Sequence, residues 1–183
     1  MDEAGRGPLA GPVVASACVL PPGFLLKGIR DSKKLTIKKR EEFYHFLSSH
    51  PEITCGVGVV GHRRIDCINI LRASLEAMLA AIENLTVLPD FLLIDGNQSL
   101  VTKIASQTVV KGDTLSQSIA AASVIAKHVR DQIMITYHLK WPQYGFNRHK
   151  GYPTPEHVQA IRIHGICPIH RRSFKPVKFI IKN

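Results

Sequence analysis

The chain has 183 residues, of which 45% are hydrophobic, and its mean hydropathy is +0.03. This length is enough for one domain with a hydrophobic core, and no apolar run is long enough to predict a membrane span. The formal net charge of +10 excludes an acidic protein and indicates a partner that carries phosphate.

The predicted elements alternate between strands and helices. Strands are predicted at residues 12–20, 53–60, 91–94 and 104–110, and helices at residues 37–47, 65–85, 116–139 and 155–164. Thr36 and Thr154 precede two of these helices as N-caps, and Pro155 occupies a first helical position. This order predicts an α/β domain with a mixed, three-layer arrangement.

The positive charge is concentrated near the carboxyl end. Residues 139–183 contain nine Lys or Arg and one acid, Glu156, whereas residues 1–138 contain fifteen basic and thirteen acidic residues. A solvated basic tail would explain the charge alone. Interleaved aromatic residues, among them Trp141 and Tyr152, favour contact with nucleic acid instead.

The four cysteines are far apart in the sequence and form no Cys-x-x-Cys pair. This spacing predicts free thiols in a reducing compartment. The first twenty residues begin with two acids and lack the order of a cleavable signal. We therefore expect a cytoplasmic location.

Isolated acids lie beside glycines or at the ends of apolar strands. Asp2 and Glu3 open the chain, Asp95 ends Phe-Leu-Leu-Ile, and Asp113 follows Gly112. Carboxylates in such positions are poorly solvated and repel one another unless a cation neutralises them. Four carboxylates from different segments would suit two Mg²⁺ or Mn²⁺ ions, which prefer oxygen ligands.

Each acid also has a simpler explanation. Asp113 is explained equally well as a metal ligand or as a helix-capping or turn residue, and Asp95 with Gly96 can form a turn alone. Adjacent strand residues point to opposite faces, so Asp2 and Glu3 can share a site only where the strand bends. Glycines at positions 5 and 7 would permit such a bend.

A family resemblance rests on motifs that run through nearly the whole chain. The sequence resembles type 2 ribonuclease H (ribonuclease HII) in Asp2-Glu3-Ala-Gly-Arg-Gly-Pro-Leu-Ala-Gly-Pro-Val, Asp31-Ser32-Lys33-Lys34-Leu35, Ile68-Asn69-Ile70-Leu71, Asp95-Gly96-Asn97, Lys111-Gly112-Asp113, Ser118-Ile119-Ala120-Ala121-Ala122-Ser123, Ala126-Lys127, Arg130-Asp131, His149-Lys150-Gly151-Tyr152 and His170-Arg171-Arg172-Ser173-Phe174.

The resemblance implies a ribonuclease H-like three-layer fold with a mixed central sheet and a C-terminal helical appendage. Residues 1–140 would form the catalytic domain, and residues 141–183 would form a basic helical and loop extension packed on it. The implied activity is that of a metal-dependent endoribonuclease. It would cleave the RNA strand of RNA–DNA hybrids and nick duplex DNA 5′ of single ribonucleotides, leaving 5′-phosphate and 3′-hydroxyl ends.

The resemblance also implies roles for individual residues. Asp2, Glu3, Asp95 and Asp113 would be the catalytic acids that bind Mn²⁺ or Mg²⁺. The substrate-binding residues would be Gly5, Arg6, Gly7, Lys33 and Tyr152, with the glycine loop reading the sugar 2′-hydroxyl and the tyrosine sensing the RNA–DNA junction. We expect a monomer without a membrane partner, and leave open a replication clamp as partner.

Other charged residues have competing interpretations. Lys33, Lys34, Lys150, Arg171 and Arg172 are candidates for phosphate contact, although each alone is better explained as a solvated cation. Asp131 is better explained by a local ion pair than by metal binding. The histidines have no spacing typical of zinc. His149 and His170 lie among basic residues, where phosphate contact or solvation competes with a catalytic role.

Two alternatives of a different class remain at this point. One is a nucleic-acid-binding module without a working catalytic centre, which would keep the basic surface. The other is an integrase or transposase of the DDE type, which shares paired acids on a similar fold. The Gly5-Arg6-Gly7 loop and Tyr152 favour a ribonucleotide reader over an integrase.

Overall fold

The computed structural model describes residues 1–29 and 35–181. Its strands are β1 (Asp2–Ala4), β2 (Val13–Val19), β3 (Thr54–Val60), β4 (Phe91–Asp95) and β5 (Ala105–Val109). Its helices are α1 (Ile37–Ser49), α2 (His62–Ile68), α3 (Ile70–Glu83), α4 (Gly112–Leu115), α5 (Gln117–Lys140), α6 (Phe146–His149), α7 (Pro155–His164) and α8 (Val177–Ile180), with a 3-10 helix at Pro142–Tyr144.

The strands form a mixed arrangement with β1 at its centre. β1, β2 and β3 pair antiparallel, and β4 and β5 pair parallel. Met1 joins the two groups, because its nitrogen donates to the Leu93 carbonyl at 2.7 Å and its carbonyl accepts from Asp95 N at 3.0 Å. The strands therefore lie side by side in the order β3, β2, β1, β4, β5.

Helices cover both faces of the strands, which gives the expected three layers. On one face, α3 lies directly on β3, where a Cβ added at Gly56 or Gly58 would fall 2.0 Å from a carbonyl oxygen of Ala81 or Ala77. Only glycine permits so close an approach of helix and strand. On the other face, the alanine-rich part of α5 packs with α1 around Leu47. The α/β, three-layer prediction is confirmed.

The helix predicted over residues 65–85 is wrong as a single element. It is two helices, α2 and α3, separated at Asn69, which has φ +69°. The Asn69 side chain accepts a hydrogen bond from Arg72 N at 3.1 Å and so caps α3. Asparagine tolerates left-handed backbone and is a good N-cap, and the apolar periodicity hides both properties.

Both predicted threonine caps are confirmed. Thr36 accepts a hydrogen bond from Lys39 N, and Thr154 accepts one from His157 N, each at 3.2 Å. These bonds satisfy amide groups that the first turn of a helix leaves without a partner. All four cysteines are free thiols, as predicted.

The carboxyl-terminal segment packs around the loop that follows β1. Leu9 N donates to the Gly151 carbonyl at 2.7 Å, Gly11 N to the Ile169 carbonyl at 2.9 Å, and Arg171 N to the Leu9 carbonyl at 2.8 Å. Leu9 is buried with apolar residues of α5, α6 and α7 in one cluster. The boundary at residue 140 stays a prediction.

No helix within the described ranges has both the length and the apolar character needed to cross a bilayer.

Candidate active site

Asp2 and Glu3 lie on β1 and face opposite sides of the sheet. Asp2 pairs with Ser16, and its side chain is 4% exposed beneath α5, where Ser123 forms a hydrogen bond with it. Glu3 faces the side covered by α3. Both nevertheless line one cavity of ≈ 340 Å³, because β1 ends at residue 4 and the chain turns at Gly5 with φ +99°. A bend after the pair therefore lets both acids reach the cavity.

Asp95 lies beside this pair because β4 runs next to the start of β1. Its backbone nitrogen bonds to the Met1 carbonyl, and its Oδ1 accepts a hydrogen bond from Gly112 N at 2.7 Å. Asp95 and Glu3 line a second, smaller cavity of ≈ 100 Å³ that adjoins the first. We call Asp2, Glu3 and Asp95 the acid wall.

Asp113 lies close to the acid wall but lines neither cavity. It is 2% exposed and belongs to the first turn of α4, and its neighbour Gly112 donates the hydrogen bond to Asp95. The alternative that Asp113 caps this helix is wrong, because Lys111 occupies the N-cap position. The residue that precedes Asp113 is therefore in direct contact with Asp95.

The acid wall carries unfavourable electrostatics that a cation would relieve. The pKa of Asp2 is raised to about 7, mainly by burial; the hydrogen bond from Ser123 opposes this rise, and the nearby charges of Glu3 and Asp95 contribute to it. Burial likewise raises the pKa of Glu3, which the guanidinium of Arg6 opposes. Oxygen-only donors in this state suit a hard divalent cation. Within residues 1–29 and 35–181, no three His, Cys, Asp or Glu side chains are already arranged to hold one ion.

The Gly5-Arg6-Gly7 loop forms the next part of the cavity. Arg6 pairs with Glu3 at 3.2 Å, so the loop and the acids are in direct contact. A Cβ at Gly5 would fall 2.1 Å from Nε of Arg130, whereas a Cβ at Gly7 would lie 3.7 Å from the Tyr152 ring. The loop therefore needs glycine at position 5, because a side chain there would collide with Arg130. Position 7 has space for a methyl group.

Tyr152 faces the loop across the cavity and is 40% exposed. The Lys127 ammonium and the Arg130 guanidinium each lie 5.8 Å from its ring centroid. This is within the range of cation–π attraction. We call the Gly5-Arg6-Gly7 loop and Tyr152 the loop wall. Lys33, the remaining predicted substrate-binding residue, lies outside the described residues.

Two buried arginines hold the loop wall from behind. Arg171 donates to the carbonyls of Gly5 at 2.6 Å and Arg6 at 3.0 Å, and also to those of Gly11 and Pro12. Arg130 donates to the Pro12 carbonyl at 3.0 Å and the Lys150 carbonyl at 3.1 Å. Both arginines are 0% exposed. The interpretation of Arg171 as a phosphate contact or solvated cation is therefore wrong.

Sequence reasoning missed or misplaced several other residues at the site. Arg40, Ser123 and Lys127 line the cavity together with the predicted residues. Ser123 is the polar residue within an otherwise apolar part of α5, and that pattern could have indicated a bond to a buried acid. His170 is 1% exposed, so its assignment to phosphate contact or solvation is wrong. The local ion pair predicted for Asp131 is confirmed, with Lys127 at 2.6 Å.

Solved structures similar to this chain include ribonucleases H. The ribonuclease H2 of Pyrococcus horikoshii OT3 superposes with a TM-score of 0.80 at 25% identity, covering 99% of this chain and 95% of that one. Ribonuclease HII of Archaeoglobus fulgidus, solved as a complex with PCNA, gives 0.77 at 22% identity and covers 93% and 90%. Bst-RNase HIII in complex with Mn²⁺ gives 0.72 at 16% identity and covers 99% and 68%. The chain thus has the fold of the ribonuclease H class.

Sequence relatives define the family more narrowly. The sequence model of the family described as Ribonuclease HII matches residues 1–177. Ribonuclease HII of Chlamydia trachomatis serovar L2 is 57% identical over 97% of this chain and 82% of its own length. Ribonuclease HII of Syntrophus aciditrophicus is 55% identical over 96% and 82%. The chain belongs to the ribonuclease HII family, and it is a metal-dependent endoribonuclease that hydrolyses RNA in RNA–DNA hybrids.

Proposed function

We propose that this enzyme nicks duplex DNA 5′ of single embedded ribonucleotides, in addition to cutting longer hybrids, and leaves 5′-phosphate and 3′-hydroxyl ends. The observation that carries the proposal is that Asp2 and Glu3 of the acid wall share one cavity with the loop wall. A sugar held at the loop wall would bring its neighbouring phosphodiester to the acids. One ribonucleotide would then be enough to direct cleavage.

Asp2, Glu3, Asp95 and Asp113 are proposed to hold two divalent ions, Mn²⁺ or Mg²⁺. Such ions, when bound, activate a water molecule and stabilise the leaving 3′-oxygen. The raised pKa values of Asp2 and Glu3 support the proposal, because carboxyls that resist ionisation in the metal-free protein gain most from a nearby cation. Acid side chains would rotate when an ion enters, since no three of the described ones are already grouped for ligation. Manganese is supported by the Mn²⁺ complex of the structural neighbour.

The loop wall is proposed to recognise the ribose. Gly5 and Gly7 have no Cβ, so the backbone groups between them can approach a 2′-hydroxyl closely. Arg171 already occupies the carbonyls of Gly5 and Arg6, so the amide nitrogens of the loop remain as donors for the substrate. The ring of Tyr152 would stack on the sugar or base at the junction. Lys33 is assigned to the substrate by resemblance alone.

The remaining assignments are also proposals. The enzyme would act as a monomer in the cytoplasm, with a catalytic part at residues 1–140 and a basic extension at residues 141–183. A replication clamp as partner is supported by the PCNA complex of the structural neighbour. A direct test is co-elution of this chain with the clamp of its own cell.

One incubation distinguishes the proposed function from its alternatives. The enzyme is mixed with a DNA duplex that carries one ribonucleotide, with Mn²⁺ in one sample and EDTA in the other. Nicking 5′ of the ribonucleotide that depends on Mn²⁺ is the expected result. Binding without nicking would support a non-catalytic module, and joining of strands would support an integrase.

A further inference from the structure

The backbone around Tyr152 is enclosed by three histidines that the reaction itself does not use. His157 and His170 are 0% and 1% exposed, and His149 is partly buried. The rings of His149 and His157 stack with their centroids 4.5 Å apart. Phe146 packs edge-on against His157, and Tyr144 packs edge-on against His170. The histidines therefore lie in an apolar, aromatic environment directly behind the tyrosine.

A directed chain of hydrogen bonds runs through two of these histidines. At one end, the backbone nitrogen of Cys167 donates to Nδ1 of His170 at 2.9 Å. Nδ1 of His170 is therefore an acceptor, and its proton is on Nε2, which meets Nε2 of His157 at 3.1 Å. The Cys167 carbonyl lies farther from Nδ1 of His170, at 3.3 Å.

The other end of the chain fixes the same direction independently. Nδ1 of His157 lies 2.9 Å from the carbonyl oxygen of Tyr152, and a carbonyl can only accept. His157 therefore carries its proton on Nδ1, and its Nε2 accepts from His170. The two ends agree, so each of the three hydrogen bonds from Cys167 to Tyr152 has one donor and one acceptor.

His149 holds Gly151, the residue before Tyr152, in the same manner. Gly151 N donates to Nδ1 of His149 at 3.1 Å, and Nε2 of His149 lies 2.7 Å from the Tyr144 carbonyl. His149 is therefore protonated on Nε2. Gly151 has φ +84° and its Cβ position would lie 2.8 Å from the Ala10 carbonyl, so this short stretch is fixed on both sides.

The three histidines are suited to positioning and not to ligating metal. His149 accepts a hydrogen bond from Gly151 N, and His157 donates one to the Tyr152 carbonyl. His170 donates to His157. Burial lowers the pKa of His157 and of His170 to about 4, which keeps both neutral as the chain of bonds requires. Cys167 and the histidines form no three-ligand metal group among the described residues.

We propose that His149, His157 and His170 are positioning residues that fix Tyr152 for ribonucleotide recognition, through neutral rings of fixed tautomer. The inference deepens the proposed function and rests on the role of Tyr152 given there. The tyrosine ring is partly exposed, and the position of its backbone sets where the ring enters the cavity. A shift of the backbone would misplace the ring against the sugar, and small misplacements at an active site are costly in rate.

The tautomers can be observed without any assay of activity. Long-range proton–nitrogen NMR spectra of protein with ¹⁵N-labelled histidine distinguish protonated from bare ring nitrogens. The expected result at pH 7 is a proton on Nδ1 of His157 and on Nε2 of both His149 and His170. A proton on Nε2 of His157, or rapid exchange between its tautomers, would overturn the proposal.

Two variants of one residue provide a matched pair for the functional effect. His157→Asn places a side-chain amide near the position of Nδ1 and can still donate to Tyr152, whereas His157→Gln places its amide near Nε2 and keeps only the link to His170. Nicking at a single ribonucleotide is expected to lose kcat by about tenfold in the Gln variant with little change in KM. The Asn variant is expected to keep most of its kcat. Equal losses in both variants would contradict positioning through the Tyr152 carbonyl.

Failure of this inference can be separated from failure of the proposed function. Tyr152→Ala is compared with His157→Gln on a single-ribonucleotide duplex and on a full RNA–DNA hybrid. If Tyr152→Ala leaves the preference between the substrates unchanged, Tyr152 is not a reader, and the proposed role falls while the NMR result still reports on the histidines. If only Tyr152→Ala changes that preference, the histidines do not position it.

Discussion

The two walls of the cavity are built on opposite physical principles. The acid wall brings Asp2, Glu3 and Asp95 together at strand ends, where burial raises the pKa values of Asp2 and Glu3. In the loop wall, Arg171 donates to the carbonyls of Gly5 and Arg6, and Nδ1 of His157 lies 2.9 Å from the carbonyl oxygen of Tyr152. The acid wall therefore holds buried carboxyls whose ionisation a cation would favour, whereas the Gly5 and Arg6 carbonyls of the loop wall have partners within the protein. The proposed function assigns chemistry to the acid wall and recognition to the loop wall, so substitutions in the two walls should have different effects.

The largest effect is expected from removing one charge of the acid wall. Asp95→Asn keeps an oxygen that can accept the hydrogen bond from Gly112 N but removes a negative charge from the proposed metal site. Cleavage is expected to fall by about a thousandfold, with binding of an RNA–DNA hybrid unchanged. Single-turnover cleavage and fluorescence anisotropy with the same hybrid measure the two quantities. Loss of binding in a folded variant would mean that Asp95 positions the substrate.

The rigidity of the loop wall can be tested with two glycines of the same loop. Gly5→Ala places a methyl group against Arg130 at a positive φ, and it should lower the free energy of unfolding by about 2–4 kcal/mol. Gly7→Ala meets only ordinary contact distances, and it should stay within about 1 kcal/mol of the parent. Urea denaturation measures both. Similar values for the two variants would argue against a tightly held loop.

Tyr152→Ala tests recognition by the loop wall. Loss of stacking should lower kcat/KM at a single ribonucleotide by about 10–100-fold, while affinity for an all-DNA duplex changes little. Steady-state kinetics and anisotropy on duplexes that differ by one 2′-hydroxyl check this difference. A uniform loss across all substrates would be inconsistent with a reading role.

Asp2 of the acid wall and the histidines behind Tyr152 should also respond oppositely to pH in metal-free protein. The pKa of Asp2 is raised from its ordinary value of 3.8 to about 7, so the folded state binds more protons in between, and stability falls as pH rises through that window. The pKa values of His157 and His170 fall from 6.5 to about 4, so their contribution is lost as pH decreases from 6.5 to 4. Asp2→Asn should therefore stabilise metal-free protein at pH 8 by about 1–2 kcal/mol. Destabilisation by this substitution in EDTA would contradict a strained acid wall.

The sequence predicts those parts of the fold that depend on local patterns. Apolar periodicity located most strands and helices within a few residues, and Thr36 and Thr154 were visible as caps because capping needs only neighbouring atoms. The break at Asn69 was hidden, since the apolar pattern continues through it. Parallel pairing of β4 with β5, and the link of β4 to β1 through Met1, depend on contacts distant in sequence.

Residues of the site divide in the same way. The acids stood out because charge beside glycine or after an apolar strand is unusual. Arg171 and His170 were misassigned because they lie in a basic stretch, His170-Arg171-Arg172. The composition of this stretch indicates exposure to solvent, and only the fold shows that the two residues are buried. Arg172 beside them is exposed, so neighbouring residues of similar chemistry have opposite environments.

A crystal structure of the enzyme with Mn²⁺ and a duplex carrying one ribonucleotide tests the central claim most directly. The account predicts Mn²⁺ ions bound by carboxylate oxygens of Asp2, Glu3, Asp95 and Asp113, with the ribose between the Gly5-Arg6-Gly7 loop and Tyr152. Ions bound away from these acids, or a ribose held elsewhere, would contradict it.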